Sequence, residues 1–316
     1  MHAPTPTYRY GFLIGIVKIV SRLPLWFTYR ISDVGFLLLY YLIGYRKRVV
    51  RQNLERAFPE MSFADRNRIA RRFYRHFCDL FVEIFKSFSM SDAELSRRYV
   101  IENPELVNRL ITENRSSILL SHHYGNFEWM STRMDLVFNR RIPTYGLYTR
   151  IKNPVAEELV HYMRSRRGIQ MVPMTGAVKQ VLQAFSTETS AFGFLTDQAP
   201  SRGQKLHFGP MFKLPTATPT VVSKLILRTG AALIYTDVQR VKRGHYRCRL
   251  VEINAAPFKP GKPQQVLDFT DLQLSLLEET IKKNPPFWLW SHRRWKHKPR
   301  PGDTLSRELA DHEAST

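Results

Sequence analysis

From residue 116 onward, short apolar runs alternate with amphipathic stretches, and this alternation limits the fold more than any other feature of the chain. Strand-like runs fall at 117–121, 143–148, 169–173, 190–196, 231–238 and 245–253. Helical patterns lie between several of them, at 127–138, 154–167, 175–185 and 218–229, and a further one covers 266–283. Gly168 and Gly230 stand where helix C-caps belong. Such alternation predicts an α/β fold, a mixed sheet with parallel pairs flanked by helices. Reactive groups in such sheets collect beyond the carboxyl ends of strands. His123 and Asp197 each fall just after a strand-like run. Residues 254–264 form a Pro/Lys loop, and the polar tail from 300 onward is expected to fray.

The segment Ser121-His122-His123-Tyr124-Gly125-Asn126-Phe127-Glu128 is where chemistry is easiest to place. On one continuous helix, five residues turn about 500°, so His123 and Glu128 would not share a face. With a strand ending at 121 and a helix starting near Asn126, the pair falls on a loop and on the first helical turn. Asn is a good N-cap, and Gly125 permits the tight turn. The helix N-terminus favours a charged carboxylate at Glu128. An ionised Glu beside His123 would fix its tautomer and raise its basicity, the arrangement of a general base for a hydroxyl. The same spacing equally suits a satisfied loop histidine and a solvated helix-start carboxylate. His122 lacks the spacing to Glu128 and suits a structural role.

The 316 residues carry 48 Lys and Arg against 27 Asp and Glu, a net charge of +21. Such a surface wants an anionic partner. Nucleic acid, anionic headgroups, lipid phosphates and an acidic carrier protein all qualify. No zinc-finger, RNP-like or bZIP pattern favours nucleic acid. Cys78 and Cys248 lie far apart, so reduced thiols are expected.

Residues 11–45 are strongly apolar but interrupted by Lys18, Arg22, Arg30 and Asp33. They read as a helical membrane anchor over 1–45: one tilted span, or a hairpin or amphipathic helix lying in the interface. A hydrophobic helix buried against the domain is the alternative. Arg46, Lys47, Arg48 and Arg51 follow at once and suit a cytoplasmic flank. An amphipathic helical region covers 46–115. Val50, Leu54 and Phe58 form one stripe, and Ile69, Phe73, Phe77, Phe81 and Phe85 form a second opposite a row of arginines. The α/β core is expected over 116–300 and a polar tail over 301–316.

Four blocks in order resemble the late acyltransferases of lipid A biosynthesis, the lauroyl/myristoyl transferase family within the wider glycerolipid acyltransferase group. They are HYGNFE (123–128), similar to the family's H-x4-D/E motif; GYRKRVVRQNLERAFPE (44–60) with FYRHF (73–77); KNP (152–154) through RSRRG (164–168) to DQ (197–198); and WSHRRWKHKP (290–299). The resemblance covers roughly residues 10–300. Two departures stand out. Arg150 is shifted from the family's Tyr-Arg-Asn-Pro order, and Met211-Phe212-Lys213 replaces Phe-Phe-Gly before LPTAT.

The resemblance implies a glycerolipid-acyltransferase-like fold and an O-acyl transfer from an acyl carrier protein thioester to a hydroxyl of a lipid A precursor. His123 would act as base, held by Glu128. Asn126, Arg150 and Arg164 would be oxyanion or substrate-binding candidates, with Arg164 preferred, and Asp197 would orient a basic group or the acceptor. Arg293, Arg294 and Lys296, set among Trp288, Trp290 and Trp295, would contact phosphate or the membrane surface. No metal and no cofactor is expected, the thioester being a co-substrate. Acidic acyl carrier protein, an anionic lipid and the inner membrane, with the core on its cytoplasmic side, are the implied partners and place; nucleic acid is not among them. Coenzyme A as donor, a lysophospholipid, aminolipid or other glycolipid as acceptor, thioester hydrolysis, and a non-catalytic basic membrane-binding protein stay open as alternatives.

Overall fold

The computed structural model describes residues 9–138, 140–202, 206–253 and 263–309. In chain order, the helices α1 (Gly11–Val20) and α2 (Leu25–Leu37) lead into a π-helical stretch, Leu38–Ile43, and then α3 (Lys47–Ala57), α4 (Phe63–Lys86) and α5 (Asp92–Arg98). Next come β1 (Tyr99–Ile101), α6 (Glu105–Thr112), β2 (Ser117–Ser121), α7 (Phe127–Val137), β3 (Thr144–Tyr148), α8 (Pro154–Ser165), β4 (Gln170–Pro173), α9 (Ala177–Thr187) and β5 (Ala191–Leu195). The rest is β6 (His207–Met211), β7 (Leu214–Thr218), α10 (Val221–Thr229), β8 (Ala232–Lys242), β9 (His245–Ile253), α11 (Pro263–Lys283), a 3-10 turn at Pro285–Phe287, and β10 (Thr304–Leu305).

The main sheet has seven strands in the order β1-β9-β8-β2-β5-β3-β4. All its pairings are parallel except the β8–β9 hairpin. β2 lies between β5 and β8, buried on both faces, which is why its sequence is an unbroken apolar run. Successive side chains alternate faces. Leu119, Ala232 and Ile234 join the core under α2, α3, α4 and α7, while Ile118, Leu120, Leu233 and Tyr235 join the core under α9, α10 and α11. The expected α/β architecture, a mixed sheet flanked by helices, is therefore present.

α4 anchors the helical layer. Ser62 caps it by accepting from Asp65 N–H at 3.1 Å, and Phe73 and Tyr74 are fully buried. Burying side chains of that size contributes roughly 1.5–3 kcal/mol each. The expected apolar stripe is interrupted by His76, Asp79 and Glu83, which are buried as well. α2 packs one side on α4 through Leu25, Tyr29 and Phe36, so the alternative of burial against the domain holds for that face. Its other side leaves Trp26 at 70% and Leu42 in the following π stretch at 79% exposure. Among the described residues no single helix is long and apolar enough to cross a membrane; Gly11–Val20 and Leu25–Ile43 reach that length only as a pair bent by 98°.

Three expectations differ from the structure. The edge strand β1 comes from within the stretch expected to be helical. A second, three-stranded sheet, β10-β6-β7, was not foreseen. Residues 300–309 do not fray: β10 pairs with β6, and Leu309 is buried with Phe208 and Ala217. Most of the Pro/Lys loop and the tail beyond 309 lie outside the described residues. Cys78 and Cys248 are buried and unpaired.

Candidate active site

β2 and β5 run parallel with Ser121 opposite Leu195. Two further residues on each strand carry His123 and Asp197 to the same level, so the register itself brings them side by side. His123 Nδ1 lies 2.7 Å from Asp197 Oδ1, and His123 N–H donates to Asp197 Oδ2 at 3.0 Å. Trp288 Nε1–H donates to the same Oδ2 at 2.8 Å. Burial alone would raise the Asp197 pKa, but the charge and hydrogen bond of His123 outweigh it and hold the carboxyl well below the usual range. Burial alone would lower His123; Asp197 outweighs it, with help from Glu128, and the imidazole is raised above 6.5. An ionised Asp197 accepts at Nδ1, so that nitrogen carries the hydrogen and Nε2 keeps its lone pair. The Gln198 amide nitrogen stands 3.2 Å from Nε2.

The loop that presents His123 is tied down along its length. Gly125 adopts φ +58°, and a Cβ there would meet Val238 Cγ1 at 2.9 Å, so glycine is required twice over. Gly125 N–H donates to Phe287 O at 2.9 Å, and Leu289 N–H donates to His123 O at 3.0 Å. From beneath, His76 Nε2 lies 3.2 Å from Gly125 O, and burial keeps that ring neutral by pushing its pKa well below 6.5. Asn126 caps α7, its Oδ1 accepting from Trp129 N–H at 2.9 Å. The strand–turn–helix reading of this segment thus matches the structure.

The partner of Glu128 differs from the expectation. Glu128 is 8% exposed and accepts from Arg164 through Nε at 3.0 Å and Nη2 at 2.5 Å. It makes no hydrogen bond to His123; Asp197 fills that role. The reason is directional: the side chain of a first-turn residue leaves the helix toward α8, where Arg164 waits, while the parallel register delivers Asp197 to the imidazole. Arg164 stays close enough that its charge acts on His123.

Two other candidates are placed elsewhere than expected. Asn126 is buried and structurally engaged at both ends of its amide, since Nδ2 donates to buried Glu83 at 2.7 Å while Oδ1 caps α7. Arg294 is 1% exposed and gives Nη1 to Ala217 O at 2.6 Å and Nη2 to Thr218 Oγ1 at 3.0 Å. Burial pushes its pKa down to about 10. It holds the second sheet and cannot touch a phosphate or a membrane. Arg150, Arg293 and Lys296 are exposed. The Lys213 departure is a turn feature: Phe212 and Lys213 form the two-residue β6–β7 hairpin with φ +53° and +59°, where glycine is favoured.

Several supporting residues were not singled out from the sequence. Trp288 was named only for its ring, yet its N–H holds Asp197. Ala199 N–H donates to His292 Nε2 at 2.9 Å; burial pushes His292 down to about 4, so it accepts as a neutral ring. Asn53 Nδ2 donates to Trp290 O and His292 O at 2.8 and 2.7 Å, and Arg46 Nη1 donates to Ser291 O at 3.1 Å. These contacts join the 44–60, 197–198 and 290–299 blocks in space. Glu83 is fully buried and accepts from Tyr29, Tyr246 and Asn126. His122 is buried against Tyr235, and burial pushes it down to about 4, in line with a structural role. Beyond Gln198, Pro200 and Ser201 enter the wall of a groove of about 850 Å³ that Val178, Leu182, Val221 and Leu225 also line. Among the described residues no group of three or more His, Cys, Asp or Glu side chains converges as a metal site would require.

Comparison with known proteins gives the family. A family model described as bacterial lipid A biosynthesis acyltransferase matches residues 4–297. The lauroyltransferase of lipid A biosynthesis from Escherichia coli (strain K12) is 23% identical over 297 residues, covering 93% of this chain and 94% of that protein. The lipid A palmitoleoyltransferase of the same strain is 23% identical over 256 residues, 80% of each chain. A lipid A biosynthesis acyltransferase from Haemophilus influenzae is 22% identical over 275 residues, 84% of this chain and 82% of that protein. With a family match over nearly the whole length, the chain belongs to the bacterial lipid A biosynthesis acyltransferases and is an acyltransferase.

Proposed function

We propose that this enzyme moves a fatty acyl group from an acyl carrier protein thioester to a hydroxyl of a lipid A precursor at the cytoplasmic face of the inner membrane. His123 is the base, Asp197 orients it, and Arg164, held by Glu128, supplies positive charge beside the reacting carbonyl. The 2.7 Å contact between His123 Nδ1 and Asp197 carries this reading, because it commits Nδ1 and leaves Nε2 for the acceptor.

In the reaction the acceptor hydroxyl takes the place of the Gln198 amide at Nε2. Nε2 removes its proton as the oxygen attacks the thioester carbon. Asp197 balances the imidazolium that forms. The carbonyl oxygen gains negative charge, which the Arg164 cation stabilises. Collapse of the tetrahedral species breaks the carbon–sulfur bond, and the imidazolium returns its proton to the departing thiolate. An ester and a free carrier thiol result, with no net proton change.

Exposed apolar side chains on α1 and α2, followed by Arg46, Lys47, Arg48 and Arg51, support attachment to an anionic leaflet. The net charge of +21 supports steering of an acidic carrier. The test incubates wild type and His123→Ala with acyl carrier protein thioester and lipid A precursor, with mass spectrometry of the lipid. Wild type should add one acyl ester and His123→Ala none. An unchanged lipid with wild type would overturn the assignment.

A further inference from the structure

A second cleft lies beside the loop that carries His123, with a volume of about 530 Å³. Its walls are Arg72 and Arg75 from α4, Arg240 and Arg243 from the β8–β9 hairpin, and the rings of Phe36 and Phe287. Asp33 and Asp79 also face it, so four guanidinium groups meet two carboxylates and an excess of two positive charges remains.

The carboxylates are already committed. Asp79 accepts from Arg240 Nη2 at 2.7 Å and from Arg243 Nε at 2.9 Å. Asp33 accepts from Arg243 Nη2 at 2.7 Å. Arg243 is therefore a structural cation. Arg240 is not used up, because its Nε is buried without a hydrogen-bond partner. Arg72 and Arg75 have no carboxylate partner among the described residues; they stand over the Phe287 and Phe36 rings at 5.9 and 5.0 Å. Guanidinium groups on aromatic faces keep their N–H edges for a planar or tetrahedral anion.

Two features of place narrow the ligand. Leu37 lies on the rim at 53% exposure, and the exposed apolar residues Leu38, Leu42 and Ile43 continue from it. The cleft thus opens where α2 ends and the exposed apolar surface of the π-helical stretch begins. Phe287, its inner wall, accepts Gly125 N–H, two residues after His123. The cleft therefore adjoins the loop that carries the base. An acidic protein surface would suit an open basic face better than a cleft half walled by phenylalanine.

We propose that this cleft binds a phosphate carried by the acceptor lipid, with Arg72, Arg75 and Arg240 as its ligands, and so sets which acceptor hydroxyl reaches His123. A phosphate monoester brings nearly two negative charges at neutral pH, which matches the excess on the walls. The proposal rests on the lipid acceptor of the proposed function and adds the group by which that acceptor is held.

The test compares wild type with the double variant Arg72→Gln/Arg75→Gln, and with Arg68→Gln/Arg71→Gln as a control of equal charge loss on the same helix. Equilibrium binding of lipid A precursor and of its enzymatically dephosphorylated form is measured in neutral-detergent micelles, and acyl transfer is followed in the same samples. Wild type and control should bind the phosphorylated form at least about tenfold more tightly. The Arg72/Arg75 variant should lose that preference while binding the dephosphorylated form as wild type does. A preference that survives in the variant, or is absent from wild type, overturns the proposal. So does a loss confined to sedimentation with phosphatidylglycerol vesicles, which would mark a site for bulk lipid, or a change confined to the carrier-protein KM. Binding preference without any acyl transfer by wild type would instead sink the acyltransferase mechanism and leave the phosphate cleft standing.

Discussion

Two carboxylate pairs meet around one imidazole, one of them including it, and they are built by different means. His123–Asp197 comes from adjacent parallel strands, whose register Ser121↔Leu195 sets the two residues level. Glu128–Arg164 joins the first turn of α7 to the last turn of α8, and its geometry depends on how two helices pack. The strand-borne pair is further pinned by the Trp288 indole. Among the described residues the helix-borne pair is clamped by the guanidinium fork alone, and in the proposed mechanism that fork carries the charge. In the proposed mechanism, orientation of the base thus falls to the sheet and charge stabilisation to the helices.

Substitutions separate the two roles. Asp197→Asn should cost the most short of removing His123 itself, about 10³–10⁴-fold in kcat, because the wrong tautomer is then favoured. Glu128→Gln should lower kcat by about 10²-fold by loosening Arg164, the size expected of a lost oxyanion contact. Arg164→Lys keeps the charge but loses the two-point grip on Glu128, and about a tenfold loss in kcat is expected. Trp288→Phe removes one donor from Asp197 and should cost less than Asp197→Asn, again about tenfold. All four are read from initial rates with the carrier thioester saturating. Lys213→Gly serves as a control outside both pairs: relief of the left-handed turn should stabilise the fold by about 1 kcal/mol in denaturant melts and leave kcat unchanged.

The acid side of the pH–rate profile separates the pairs as well. With His123 as the proposed base, which must be unprotonated to act, the rate should fall as pH drops through its pKa. That pKa is raised above 6.5, mainly by Asp197 working against burial. In Asp197→Asn burial is left largely unopposed, so the acid limb should move to lower pH. In Glu128→Gln it should move in the same direction but less, because Glu128 contributes less than Asp197.

Much of the sheet was legible because its strands are short apolar runs bounded by helices. β2, β3, β4, β5, β8 and β9 fall where the runs predict them. β6 and β7 were hidden because each carries a proline, Pro210 opposite Pro215, which weakens the strand signal. Three polar residues of α4, His76, Asp79 and Glu83, were hidden inside an apolar stripe; only the structure shows that they hold the catalytic loop, the β8–β9 hairpin and the α7 cap. At the site, the position of His123 on the loop after β2 and the Asn126 cap could be read locally. The partner of His123 could not, because it depends on which strands are neighbours. A strand end followed two residues later by Asp197, matching a strand end followed two residues later by His123, was the available signal. Arg294 misled for the opposite reason: a cation among tryptophans suits a membrane surface in sequence, and only burial shows it facing Ala217 and Thr218.

The claim that Asp197, not Glu128, holds the imidazole is tested most directly by NMR titration of His123 in wild type, Asp197→Asn and Glu128→Gln, which needs no turnover. The His123 pKa should lie above 6.5 in wild type, drop furthest in Asp197→Asn and drop less in Glu128→Gln, with the Nδ1–H tautomer kept only when Asp197 is present. A larger drop, or loss of that tautomer, in Glu128→Gln with little change in Asp197→Asn would contradict it.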